Sequence, residues 1–242
     1  MYDIKIRSLS KQYGELLAVD GLDLEIKSGE LFALLGINGA GKTTTIKMLT
    51  CLTKASSGNA FIGPYSISEH QKDIKRILGV SPQETAVAPN LSVKENLELI
   101  CDIHSFSNEK KQERVLEITN QFELGAVLKR KAGKLSQGWQ RRLSIAMALI
   151  SEPMVLFLDE PTLALDVIAR RELWEQIRAL KGKVTIILTT HYMEEAVALS
   201  DRIGIMKNGK LLAVGTADEL ITRASANDFE GAFVKIVTEG GI

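Results

Sequence analysis

The chain has 242 residues, 45% hydrophobic and 25% charged, a size and balance that suit one folded α/β domain and exclude a disordered or fibrous chain. Its 30 basic residues are matched by 30 acidic ones, so no net field draws it to nucleic acid or anionic lipid. Cys51 and Cys101 lack a Cys-x-x-Cys spacing, and three scattered histidines form no metal-ligand pattern, so neither a disulfide frame nor a metal cluster is expected.

The first residues, Met1 to Arg7, alternate as a strand and lack the apolar centre of a signal peptide. No run approaches the roughly 18 apolar residues that a membrane-spanning helix needs, so a cytoplasmic polypeptide is expected. Leu22 to Ile26 alternates apolar and acidic residues with period two, the pattern of a half-buried strand. Ser28-Gly29 then turns the chain into the apolar run Leu31 to Leu35, expected as a buried strand.

Gly36-Ile37-Asn38-Gly39-Ala40-Gly41-Lys42-Thr43-Thr44 follows, with a helix expected over Thr43 to Leu52. A strand, a glycine-rich loop and a helix start aim several backbone N–H groups at one point, where the helix dipole adds positive potential. Gly36, Ile37, Asn38, Gly39, Ala40, Gly41, Lys42, Thr43 and Thr44 are therefore the candidate phosphate-binding residues. Lys42 is suited to the terminal phosphates, and the Thr43 hydroxyl to Mg²⁺.

Gly58 to Ile62 is expected as a further strand, and the texture changes at about Glu84. From Leu91 to Ile150 the pattern is mostly helical. Ser92 and Glu95 spell a capping box, Lys110 to Phe122 is a second helix, and a third runs from about Gln137 with Ser136 as its cap. Met154 to Leu158 is a continuous apolar strand that delivers Asp159 and Glu160 to its carboxyl end. Neighbouring strand residues point oppositely, so these carboxylates are expected to do different work. Asp159 suits the Mg²⁺ shell, and Glu160 suits polarising the water that attacks a γ-phosphate.

Asp166 is expected to cap a helix carrying Leu173, Trp174, Ile177 and Leu180. Val184 to Leu188 is a second buried strand, and runs buried on both faces are typical of parallel sheets. A helix from about Met193 to Leu199, a hairpin turning at Lys207-Asn208-Gly209, and an amphipathic stretch from Asn227 to Val237 complete the chain.

Three segments carry a family resemblance: the loop at Gly36, the carboxylate strand Leu156 to Pro161, and Leu135-Ser136-Gln137-Gly138-Trp139 between them. Together they make the chain similar to the ATP-binding cassette of ABC transporters over almost its whole length. The resemblance implies an α/β P-loop NTPase core with a mostly parallel sheet, an N-terminal antiparallel β-subdomain and a helical insertion. About 1–83 and 154–226 form the core and β-subdomain, about 84–153 the helical block, and about 227–242 an amphipathic tail. The family signature is usually Leu-Ser-Gly-Gly-Gln, so Gln137 and Trp139 depart from it, and a rigid indole there either slows closure of a dimer or tightens it. Ser136 and Gly138 match positions that contact an ATP held by another cassette.

Residue by residue, Tyr13 resembles the aromatic that stacks on adenine. Gln83 resembles the glutamine that touches Mg²⁺ and the attacking water, Leu163 to Asp166 the loop that meets its counterpart across the dimer, and His191 the switch histidine. The implied catalytic set is Glu160, His191 and Gln83. The implied metal set is Thr43, Gln83 and Asp159, and the implied cofactors are ATP and Mg²⁺. The implied partners are a second copy, head to tail, and a separate integral membrane permease, with no nucleic acid, on the inner face of the cell membrane. The tail from Asp228 to Ile236 resembles subunits serving ABC-2 type exporters, NatA-like systems among them. Alternatives of another class are a non-transport cassette ATPase and an ATP-gated dimerisation module with weak hydrolysis. A GTPase is disfavoured because no Asn-Lys-x-Asp is present.

Overall fold

A computed structural model describes residues 1–241; Ile242, the last residue of the expected tail, lies outside them. The elements in chain order begin with β1 (Ile4–Tyr13), β2 (Leu16–Ile26), β3 (Leu31–Gly36), α1 (Lys42–Leu49), β4 (Ser57–Ile62) and β5 (Tyr65–Ser66). Next come α2 (Gln71–Ile77), β6 (Leu78–Ser81), α3 (Val93–Ile103), α4 (Asn108–Gln121) and α5 (Gln137–Leu149). The chain continues through β7 (Val155–Asp159), α6 (Val167–Arg178), β8 (Thr185–Thr190) and α7 (Met193–Leu199). It closes with β9 (Arg202–Lys207), β10 (Lys210–Gly215), α8 (Ala217–Arg223) and α9 (Phe229–Glu239).

The strands form two sheets. One is antiparallel, ordered β2-β1-β4-β5. In β1, Ile4 and Ile6 point inward and Lys5 and Arg7 outward, the period-two pattern of a strand with one solvated face. The alternation slips at Ser8, whose φ of 44° marks a bulge, and the next buried residue is Leu9. The other sheet is ordered β10-β9-β3-β8-β7-β6, parallel throughout except for the β9–β10 hairpin.

Every residue of β3, β7 and β8 is buried, because both faces of this sheet are covered. Phe32 and Leu34 on β3 pack with Ile46 and Met48 of α1 and with Ile4, Ile6 and Ile62 of the antiparallel sheet. Leu31, Ala33 and Leu35 face the other way, into a cluster with Leu97, Ile118, Leu143, Leu173 and Leu199 from α3 to α7. The expected helical block thus shares one continuous apolar core with a face of the parallel sheet.

β6 and the short helix α2 before it were not expected from the sequence. β6 lies at the sheet edge and is only four residues long. It matters because it brings the chain to Gln83 beside the carboxyl end of β7. The ends of β3, β6, β7 and β8 then open at one edge of the sheet, the crevice where open α/β sheets place ligands. The tail helix α9 packs on its own domain through Phe229, Ala232 and Ile236.

Candidate functional site: a phosphate cradle with two carboxylates

β3 ends at Gly36, where any Cβ would stand 2.4 Å from the Met206 carbonyl oxygen on β9. The loop closes at Gly41, with φ of 105° and space for a Cβ only 2.5 Å from the Ala18 carbonyl oxygen. No other residue type fits either place without displacing backbone. Gly41 caps α1 without a side chain, so the first amides of the helix have no side-chain acceptor competing for them. This is the geometry of an anion cradle. The Gly209 N–H donates to the Ala40 carbonyl at 3.0 Å, so the hairpin turn after β9 braces the loop.

Lys42 is buried and folds back over this cradle. Its Nζ donates to the Gly36 carbonyl at 2.7 Å and lies 3.4 Å from Glu160 Oε1. The Thr43 hydroxyl donates to Asp159 Oδ1 at 3.2 Å, and the Thr189 hydroxyl at the end of β8 donates to the same oxygen. Threonine hydroxyl and carboxylate are hard oxygen donors of the kind Mg²⁺ takes, and two protein oxygens leave its other positions to phosphate and water. Among the described residues no cluster of three or more His, Cys, Asp or Glu side chains could hold a metal by itself.

Asp159 and Glu160 make different contacts, but a turn of the backbone and not strand alternation separates them. β7 ends at Asp159, and Glu160 has a φ of 50°, the left-handed region. The backbone turns there, so alternation no longer applies and Glu160 points to the Lys42 side of the cleft. Its N–H donates to the Thr189 carbonyl and hydroxyl, each at 3.1 Å. Its Oε2 lies 2.7 Å from His191 Nδ1. The His191 ring packs on Tyr192 with centroids 4.0 Å apart, and the Arg170 guanidinium covers Tyr192 at 4.9 Å.

A cleft of about 800 Å³ runs along the loop from Asn38 to Thr44 and is also lined by Tyr13, Gln83, Glu160, Leu163 and His191. Tyr13 stands at the end of β1, 45% exposed, and lines the cleft together with Leu16 and Leu17 as an apolar lip. Ser136 and Gly138 are not among the residues lining this cleft. Ser136 takes the cap position of α5, exposed, and its side chain makes no capping hydrogen bond. By contrast Asp166, the cap of α6, accepts from the Ile168 and Ala169 N–H groups at 2.9 Å each.

Residues 19–163 match the family model described as ABC transporter. The chain is also 38% identical over 220 residues to the daunorubicin resistance ATP-binding protein DrrA2 of Streptomyces coeruleorubidus, across 90% of this chain and 68% of that one. The chain belongs to the ABC transporter family. It is 36% identical over 241 residues to the probable multidrug ABC transporter ATP-binding protein YbhF of Escherichia coli (strain K12). That match takes in 97% of this chain but 41% of YbhF, so the chain spans less than half the length of that relative. Among solved structures, the ATP binding subunit of an ABC transporter superposes with a TM-score of 0.86 at 27% identity, over 96% of this chain and 98% of that one. The dimeric ATP-binding cassette MJ0796 bound to ADP and Pi superposes with a TM-score of 0.80 at 28% identity, over 88% and 98%.

Within this ABC cassette, three features of the site lay beyond the motifs. Thr189 holds both Asp159 and Glu160, though its only sequence signal is the Thr-Thr pair before His191. Glu195 on α7 is fully buried and accepts from the Thr162 hydroxyl at 2.8 Å and Trp174 Nε1 at 3.1 Å. Burial pushes its carboxyl pKa up, and its Oε2 has no hydrogen-bond partner among the described residues. Arg141 on α5 is buried and donates to main-chain carbonyls at the cleft wall. Trp139, the departure in the signature, is half-buried against the core with the Arg142 guanidinium 4.9 Å over its ring.

Proposed function

We propose that this chain is the ATP-binding and ATP-hydrolysing subunit of an ABC transporter and works through a separate membrane subunit by ATP-driven pairing of two copies. The observation that carries the proposal is the contact set of Glu160. One buried carboxylate lies 3.4 Å from Lys42 and 2.7 Å from His191, at the wall of a cleft lined by the phosphate loop.

Lys42 and the first amides of α1 bind the phosphate chain, and Tyr13 offers its exposed ring to the base. Glu160 accepts a proton from the water that attacks the γ-phosphorus; the bond from that phosphorus to the bridging oxygen breaks, leaving ADP and inorganic phosphate. His191 turns Nδ1 to Glu160, which leaves Nε2 for a γ-phosphate oxygen. Thr43, Asp159 and Gln83 would hold Mg²⁺, which neutralises charge developing on the phosphate oxygens. Ser136 and the Gly138 amide complete the site from a second copy, since in their own chain they stand apart from the cleft.

Relatives named for multidrug and daunorubicin resistance support export as the direction and the inner face of the cell membrane as the place of work. The ABC-2-like tail points the same way. Steady-state ATP hydrolysis by wild type and Glu160→Gln tests the assignment. Loss of the base lowers kcat about 10²–10⁴-fold while ATP still binds. Turnover unaffected by the change would overturn the role of Glu160. No turnover in the wild type would leave an ATP-gated dimerisation module.

A further inference from the structure

Arg141 and Arg142 are adjacent, both buried, and make opposite kinds of contact. Arg142 ion-pairs with Glu123 and Glu172 and lies over Trp139, tying α5 to α6 and to the segment after α4. Arg141 forms no ion pair within 4 Å among the described residues. Its Nη1 donates to the Pro82 carbonyl at 2.7 Å, and its Nη2 to the Gln83 carbonyl at 2.6 Å and the Glu160 carbonyl at 3.4 Å. Burial lowers the Arg141 pKa even though the carboxylates of Asp159, Glu195 and Glu160 act on this charge from beyond ion-pair distance, so a guanidinium that donates only to carbonyls is a poor stabilising device. What the fork does supply is geometry, since planar donors on one rigid group fix several acceptors relative to one another.

The acceptors belong to the two segments whose side chains line the cleft. Glu160 sits at a positive φ, a conformation that persists only where the surroundings over-determine it. Thr189 restrains its N–H side and Arg141 its carbonyl side. We propose that Arg141 is a positioning residue that locks the Gln83 segment and the Glu160 turn to α5, the helix whose first turn carries Ser136 and Gly138. One guanidinium then sets the cis half of the site in register with the half offered to a second copy. This rests on the hydrolytic function proposed above.

The test uses the full chain with Arg141→Lys and Arg141→Gln, and with Arg142→Lys as a buried-arginine control. Three quantities are measured: kcat and KM for ATP, the Kd of a fluorescent ATP analogue, and amide exchange over the peptides covering 82–85 and 160. Both Arg141 variants are expected to lose about 10- to 100-fold in kcat, the cost of misplacing groups by around an ångström, with Kd changed by less than about twofold. Lysine does not rescue, because a single ammonium cannot reproduce the fork. Exchange rises at 82–85, while Arg142→Lys lowers the melting temperature and leaves exchange at 82–85 unchanged. A wild-type kcat in Arg141→Lys overturns the proposal, as does a rise in Kd without loss of kcat. Failure of both Arg141 variants to fold also overturns it, because the residue would then be structural. If wild type itself does not hydrolyse ATP, the functional reading falls, and faster exchange at 82–85 in Arg141→Lys still decides the positioning claim.

Discussion

Glu195 shows how one buried side chain joins the loop after Glu160 to the helix after His191. Its carboxyl accepts from Thr162 and Trp174 yet has no cation in contact, so burial dominates and raises its pKa. The sign of the consequence follows from linkage. The folded state binds this proton more tightly than the unfolded state, so the group contributes most at low pH. That contribution is lost as pH rises above the unfolded value of about 4.5 and through the folded one. Glu195→Gln has no proton to lose. The melting temperature of wild type minus that of Glu195→Gln should therefore fall as pH rises above about 4.5 and level off once pH has passed the folded pKa. A flat difference would mean that Glu195 titrates alike in both states. At the same scale, Gly36 and Gly41 are where the chain allows no side chain. Gly36→Ala would push backbone oxygen of β9 aside and misplace Lys42, whose Nζ is anchored on the Gly36 carbonyl.

The helix starts differ in what their cap residues do. Asp166 accepts two amide bonds from α6, and Asp166→Ala should cost about 1 kcal/mol in a denaturant melt. Ser136 occupies the equivalent position on α5, but its hydroxyl makes no capping hydrogen bond to its own helix. Ser136→Ala should leave stability within about 0.5 kcal/mol of wild type, yet weaken any contact its hydroxyl makes with a second molecule. A loss from Ser136→Ala as large as that from Asp166→Ala would identify an ordinary cap. The elements themselves divide in the same informative way. β3, β7 and β8 were legible because each is a continuous apolar run closed by a glycine or a polar signal. The Ser92–Glu95 capping box and the β9–β10 hairpin were legible from local chemistry. β6 was not, because four residues at a sheet edge make too short a pattern. The turn at Glu160 was not, because a positive φ at glutamate leaves no mark in composition. The Arg141 contacts were illegible for a related reason: carbonyl acceptors are the same at every residue, so no sequence pattern announces them.

At the scale of the whole molecule, the candidate site is divided. The phosphate loop, Glu160, His191 and Gln83 share one cleft, while Ser136 and Gly138 stand outside it on the first turn of α5. A head-to-tail pair of identical chains would close both clefts at once, each ATP held by the loop of one copy and the α5 start of the other. Binding that favours the pair over the single chain shifts the equilibrium by mass action, and hydrolysis releases it. Trp139, on the same turn of α5, is anchored to its own domain under Arg142, so in such a pair it would meet the second copy as a fixed surface. The most direct test is the solution mass of Glu160→Gln by size-exclusion chromatography with light scattering, with and without saturating ATP and Mg²⁺. The account predicts a monomer without nucleotide, a dimer with ATP, and loss of that dimer when Ser136→Arg is added. A monomer that demonstrably carries bound ATP would contradict it.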